Sequence, residues 1–409
     1  MLKLAQILIQ QKKKHKNKYD KAQIYFGLLF NPDFNTMKKL LLSATLLLSV
    51  ATFAQKDELK TLKKIYSKET ISDKDLIAYK AASDALETSA TEEADKVYAK
   101  FYKTMYPTIV LASKGDKATI QDQMGLYNPE FIKEYGEVIN ETLEFEKKSG
   151  KKIYTDELIQ EKGDFKKGLS VIAMNLNNTS KFKEASVLFY SLYTFDPKEE
   201  GSSLQNAAQL AVNAQDYKLA EKLYEEYYNS DYFNNGVSYF AVNKANGIEQ
   251  NFGSSKESKD LRTNYISKGI FEKPRDEKVN KSKGDVLRTL SILIAQNEGD
   301  KKKLEMYVSE ARKLLPNDQD LLLTEFNLYF NQGYELIKDD MKTVEEINKV
   351  IDNKKKYDEL VAKRKEIFTK ALPFFEKAYQ VKPSDENTKN VLKITYEILG
   401  QPEKAKAIN

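Results

Sequence analysis

The side chains that most often carry catalysis are scarce in this sequence. The only histidine is His15, and the 409 residues include no cysteine and no tryptophan. From residue 55 onward there is therefore neither the usual general base near neutral pH nor the usual zinc and copper ligands. That excludes Ser-His-Asp and Cys-His catalysis, zinc hydrolysis, and haem ligation by either residue. Two serines stand three residues before a lysine, Ser149 before Lys152 and Ser180 before Lys183. A Ser-x-x-Lys dyad can activate a serine, but in so lysine-rich a chain the spacing arises by chance, and the companion motifs are missing. Gly163 and Gly168 have phosphate-loop spacing, yet Leu169 follows where lysine is required. Asn229-Ser230-Asp231 lacks the glycine and distal glutamate of a calcium loop. Paired carboxylates could hydrolyse glycosides without histidine, but the sequence does not say which of its many acids pair. The expectation is no catalytic residue, no cofactor and no metal.

The elements that would position any such residue are helices with a long internal period. Leu169, Ile172, Ala173 and Leu176 fall on one helix face, Ala185, Phe189 and Leu192 on a second, and Pro197 ends the pair. Asn177 to Ser180 supplies the turn between them. The same offsets return 35 residues later at Leu204, Ala207, Ala208, Ala211, Ala220, Tyr224 and Tyr227. They return again at Arg288, Ser291, Ile292, Ala295, Leu304, Val308, Ala311 and Pro316. A further first helix carries Leu322, Glu325, Phe326 and Tyr329, and a matching second helix Ala371, Phe375, Ala378 and Pro383. A last unit runs through Leu392, Tyr396, Gly400 and Ala405. Alanine on one helix opposite a ring on the next lets the two axes approach closely.

This pattern resembles the tetratricopeptide repeat (TPR), whose period is about 34 residues. It departs from the family where tryptophan is usual, at Leu169, Leu204, Arg288 and Leu322, and where the first helix usually has glycine. The resemblance implies an all-α, TPR-like right-handed superhelix of antiparallel helix pairs. It covers 166–234, two units, and 285–409. Within the latter a lengthened helical segment spans 334–381, where a second helix is displaced by one repeat. Pro373 should kink that helix or mark a break. Residues 55–165 read as divergent helix pairs, with Ala78, Ala82 and Ala85 on one face and helices over Glu93–Leu111 and Pro129–Lys147.

Residues 235–284 interrupt the array. Val237 to Val242 is aromatic and branched, Asn243 to Gly247 is turn material, and Ile248 to Phe252 follows, which predicts a β-hairpin near 237–252. Ser254 and Glu257 then form a capping box opening a helix over Lys259–Lys268, and Pro274 begins a charged linker to Gly284. Helical repeats with such a hairpin resemble a class of exported repeat proteins of Gram-negative bacteria.

The segment Met37–Ala54 reads as a signal peptide: Lys38 and Lys39, an apolar run of 11 residues from Leu40 to Val50, and small residues to Ala54. A membrane span needs about 20 apolar residues, so no permanent membrane anchor is expected after cleavage. Met37 reads as the true start and residues 1–36 as a doubtful upstream extension; a basic nucleic-acid or membrane arm is the alternative. The first 54 residues hold nine lysines and two aspartates in a chain of net charge +5, which leaves residues 55–409 at about −2. The basic pI belongs to the leader, so nucleic acid is not an expected partner. The expected location is exported, periplasmic or secreted.

In TPR arrays the first helix of each pair lines an inner face. The residues beside the packing positions there are Ser170 and Met174, Gln205 and Gln209, Thr289 and Leu293, Leu323 and Asn327. They form the candidate groove for a protein or peptide partner, and the function expected is an exported scaffold for protein–protein interaction in the cell envelope. A glycan- or small-ligand-binding envelope protein and a purely architectural spacer are the alternatives. Asn178, Asn213, Asn297 and Asn331 occupy equivalent places and read as helix-ending residues in the left-handed conformation. Tyr224, Tyr227, Tyr228, Tyr232 and Tyr239 read as packing aromatics.

Overall fold

The computed structural model describes residues 56–408 except 120, 121, 123 and 124. The upstream extension, the signal peptide and His15 lie outside the described residues. The chain divides into two compact units, one running to Leu210 and including Val237–Glu277, the other holding Ala211–Gly236 and the residues from Lys278 on. The fold is all-helical with one small sheet inserted.

The first unit opens with α1 (Lys56–Tyr66), α2 (Asp73–Ser89), α3 (Glu93–Lys114), α4 (Pro129–Ser149), α5 (Thr155–Asn178) and α6 (Phe182–Phe195). Neighbours in the chain pack on one another, α1 on α2, α2 on α3, α3 on α4 and α5 on α6. Local chemistry sets several starts. Ser72 and Asp75 form a capping box for α2, and Asn128 accepts the Phe131 N–H before Pro129 at the head of α4. The alanine stripe expected on α2 is corrected: Ala82 is buried but Ala85 is exposed, because the buried face is Tyr79, Ala82, Ser83 and Leu86. Four of these buried rings, Tyr66, Tyr79, Phe101 and Tyr102, form an edge-to-face cluster where the repeats downstream use alanine and leucine.

Then come α7 (Gly201–Asn213), the first part of which belongs to this unit, and the inserted sheet. Strands β1 (Val237–Asn243) and β2 (Glu249–Gly253) form the expected hairpin, with Phe240 opposite Asn251 and Val242 opposite Glu249. Its loop closes through Gly247, at φ +68°. Helix α10 (Lys256–Ser267) follows the short α8 (Tyr217–Asn229) and α9 (Asp231–Asn235) in numbering. Its cap is Ser255, which accepts the Ser258 N–H, and not the Ser254 box that the sequence suggested. The stretch after it is no linker: Phe271–Lys278 is β3, and the sheet order is β2-β1-β3. Pro274 and a left-handed Lys273 at φ +52° are tolerated because β3 is an edge strand. The buried Arg262 of α10 ties helix to sheet, donating to the Phe240 and Arg275 carbonyls and to Asp276 at 2.6 Å. On the sheet, Arg275 lies 4.2 Å over the Phe240 ring and grips Glu249 through two 2.9 Å bonds.

The second unit contains α8, α9, α11 (Lys283–Gln296), α12 (Lys301–Leu314), α13 (Gln319–Ile337), α14 (Asp340–Lys349), α15 (Lys354–Val381), α16 (Glu386–Ile398) and α17 (Pro402–Ala407). Helix α11 pairs with α12, α13 with α15, and α16 with α17. The lengthened segment is thus one pair, α13 with α15, into which α14 is inserted, held by a bidentate Arg364–Asp340 bridge of two 2.7 Å bonds. Pro373 does not break α15, which runs through it to Val381. Ala371, Phe375, Leu392, Tyr396 and Ala405 make one buried cluster, as their offsets implied.

One local device recurs at the turns inside the pairs. Ser180, Gln215, Glu298 and Gly400 all have positive φ, between +54° and +73°. In each case the next residue donates its N–H to a carbonyl five positions back: Lys181 to Leu176, Asp216 to Ala211, Gly299 to Ile294, and Gln401 to Tyr396. This is a Schellman closure, which satisfies the free carbonyls of the helix end. It corrects the reading of the asparagines. Asn178 and Asn213 are the last helical residues and Asn297 has φ −84°, with the left-handed residue one or two positions later in each case, while Asn331 lies within α13.

Candidate functional site

The residues expected to line a groove fall on four helices, α5 and α7 in the first unit and α11 and α13 in the second. On α5, Ser170 and Met174 are half-buried, with the hydroxyl 3.9 Å from the thioether sulfur. On α7, Gln205 and Gln209 are exposed. On α11, Thr289 spends its hydroxyl on the Asp285 carbonyl. Leu293 is a correction: it is 1% exposed, a core residue rather than a lining one. On α13, Leu323 and Asn327 are half-buried. Leu293 is lost because α11 is packed by α8, α12 and α13 and has little free surface, which a helix-by-helix offset does not register. Ala295, read as a packing position, is exposed for the converse reason.

The tyrosine patch divides. Tyr227 stands edge-on to Phe233 at 5.1 Å, and Tyr228 meets Phe233 and Tyr307, which makes them core of the second unit. Tyr239 lies on the sheet beneath Lys259 and Arg262. The weak motifs resolve as structure. Ser149 and Gly150 end α4, Gly163 and Gly168 lie inside α5, and Ser230 caps α9.

The sequence did not single out the most unusual electrostatic site, which lies on α5. Glu146, wholly buried near the end of α4, sets the start of that helix. It accepts the Tyr154 N–H on both oxygens, the Thr155 hydroxyl at 2.6 Å and the Tyr98 hydroxyl at 3.2 Å. One face of α5 then presents Glu157, Glu161 and Phe165, each one turn from the next. Tyr66, the last residue of α1, donates to Glu161 Oε2 at 3.3 Å, and Tyr135 of α4 donates to Oε1. Phe165 stands edge-on to Tyr135 at 5.1 Å and stacks with Tyr127 at 5.5 Å.

Glu157 is half-buried and forms no hydrogen bond or ion pair among the described residues. Burial, and then the charge of Glu161, push its carboxyl up to about 7. Burial also raises Glu161, outweighing the two tyrosine bonds that favour its charged form. Lysines on α5 give no relief: Lys162 and Lys166 reach the buried Asp196 at 2.8 and 3.0 Å. The pair can hold and exchange a proton near neutral pH. It is not an open glycosidase pair, since a tyrosine occupies each oxygen of Glu161. A Glu-x-x-x-Glu spacing on one helical face, with no lysine four residues on, was its only sequence signal.

Among the described residues no cluster of three or more acids or histidines could hold a metal ion. No helix there is long and apolar enough to cross a membrane. No protein-family model matches the chain, and no curated protein does.

Proposed function

We propose that this chain is an exported helical-repeat scaffold of the tetratricopeptide kind, which binds a protein or peptide segment in the cell envelope and has no catalytic site of its own. The observation that carries the reading is the shared turn at Ser180, Gln215, Glu298 and Gly400, with 35 residues between the first two and 102, three periods of 34, between the last two. A recurring helix–turn–helix of that period is how repeat proteins extend a surface rather than enclose a pocket. The inventory from residue 55 onward, without histidine or cysteine, supports the non-catalytic half. Export rests on the lysine pair, apolar run and small residues of Met37–Ala54.

Cross-linking in cells followed by mass spectrometry tests it, with Gln205→Ala/Gln209→Ala in the first unit and, separately, Asn327→Ala in the second, each beside the wild type. A discrete cross-linked envelope protein, lost in either variant, supports the scaffold. A cross-link pattern indifferent to all three substitutions removes the groove, and a native amino terminus at Met1 removes export.

A further inference from the structure

We propose that Glu157 and Glu161 form a proton-operated latch for α1. With one proton on the pair, Glu161 keeps its charge and receives the Tyr66 and Tyr135 hydroxyls. With none, repulsion between two adjacent carboxylates loosens α1.

The geometry is a cluster drawn from separate helices. Tyr66 is the terminal residue of α1 and lies 95 positions from Glu161, so their 3.3 Å bond is a long-range tie. The ring of Tyr66 is also seated edge-on against Phe101 at 5.4 Å and Tyr154 at 5.8 Å. Those ring contacts do not titrate, whereas two like charges one turn apart on α5, beneath the Tyr66 hydroxyl, gain hydration when α1 lifts away. Helix α1 is only 11 residues long, too short to persist without tertiary contacts, so its docking responds to small changes.

The titratable side chains that interact with the pair from the elements around it are phenols: Tyr66 from α1, Tyr135 from α4 and Tyr154 at the head of α5. Tyr127 acts on Tyr135, Tyr79 of α2 on Tyr66, and Tyr98 and Tyr102 of α3 surround Tyr154. Burial raises every one of these phenols, so none ionises near neutrality, and no cation is paired with either carboxylate among the described residues. The first proton taken up as pH falls therefore goes to the pair, on Glu157, which lacks the two tyrosine hydroxyls that favour the charged form of Glu161.

Hydrogen exchange of the full chain, read by mass spectrometry between pH 6 and 8.5, tests the latch. Protection of 56–66 is expressed relative to α15 in the same sample, which cancels the intrinsic pH dependence of exchange. The wild-type ratio is expected to fall about tenfold across the range, the size of a one-unit shift in a linked proton. Glu157→Gln should hold the ratio flat at its acidic level. Tyr66→Phe should lower it at pH 6. A flat wild-type ratio, an unaltered slope in Glu157→Gln, or full protection in Tyr66→Phe overturns the proposal. So does a carbon-13 carboxyl titration placing Glu157 in the ordinary glutamate range.

Discussion

Glu146 and Tyr154 are joined by the backbone N–H of the tyrosine, which both oxygens of the buried carboxylate accept at 3.0 and 3.1 Å. Helix α5 thus takes its N-terminal cap from the helix before it. Tyr154 itself makes no side-chain cap. A carboxylate is well placed there, because the helix N-terminus carries unsatisfied donors and partial positive charge.

Glu146→Ala removes the acceptor for an amide and two hydroxyls that remain buried. It is expected to destabilise the first unit by about 3 kcal/mol. Glu146→Gln retains an acceptor and should cost less than half of that. Urea unfolding followed by circular dichroism checks the pair. Equal losses for the two variants would mean that packing, not capping, is what Glu146 supplies.

The Glu157 carboxyl is raised in the folded state to about 7 from an ordinary value of 4.5. Folding therefore favours its protonated form. The associated stability is fully present below the unfolded value and is lost as pH rises through 7. Discounted for solvent screening at a half-buried group, the loss is on the order of 1 kcal/mol between pH 5 and 8. Glu157→Gln should raise the melting temperature at pH 8 and leave it nearly unchanged at pH 5. A variant stabilised equally at both pH values would show that charge is not the cause.

Ser180, Gln215 and Glu298 hold a left-handed conformation that side chains resist by about 1–2 kcal/mol. Replacement by glycine should stabilise each turn by about 1 kcal/mol, since part of the gain is returned as unfolded-state entropy. Gly400→Ala at the equivalent turn should act in the opposite sense. Chemical denaturation of the four single variants decides it, and a destabilised Gln215→Gly would count most heavily against the shared turn geometry.

Two helical glycines should respond in opposite directions to alanine. A Cβ at Gly136 in α4 would lie 2.5 Å from the Phe195 carbonyl oxygen and 2.7 Å from its Cα, backbone atoms with little freedom to move. Gly136→Ala is expected to cost about 2–3 kcal/mol through overpacking. Gly163 in α5 has nothing within 4 Å of its added carbon, so Gly163→Ala should gain about 0.5–1 kcal/mol from helix propensity. Thermal melts of both, compared with wild type, give the signs.

The sequence by itself determined the helix pairs and the hairpin, because those signals are local. Period and small-against-large alternation marked Ala173 with Phe189 and Ala208 with Tyr224, and all four are buried. The Asn246-Gly247 turn fixed β1 and β2 within a residue. Only tertiary structure decided the rest. Strand β3 reads as a charged linker because an edge strand keeps one side in water and needs no apolar alternation. Leu293 passed for a groove residue because its burial depends on neighbouring helices, not on its own. Glu161 meets Tyr66 across 95 residues of chain, and no spacing rule reaches that far. The carboxylate pair came into view only once Tyr66 of α1 and Tyr135 of α4 had closed on α5.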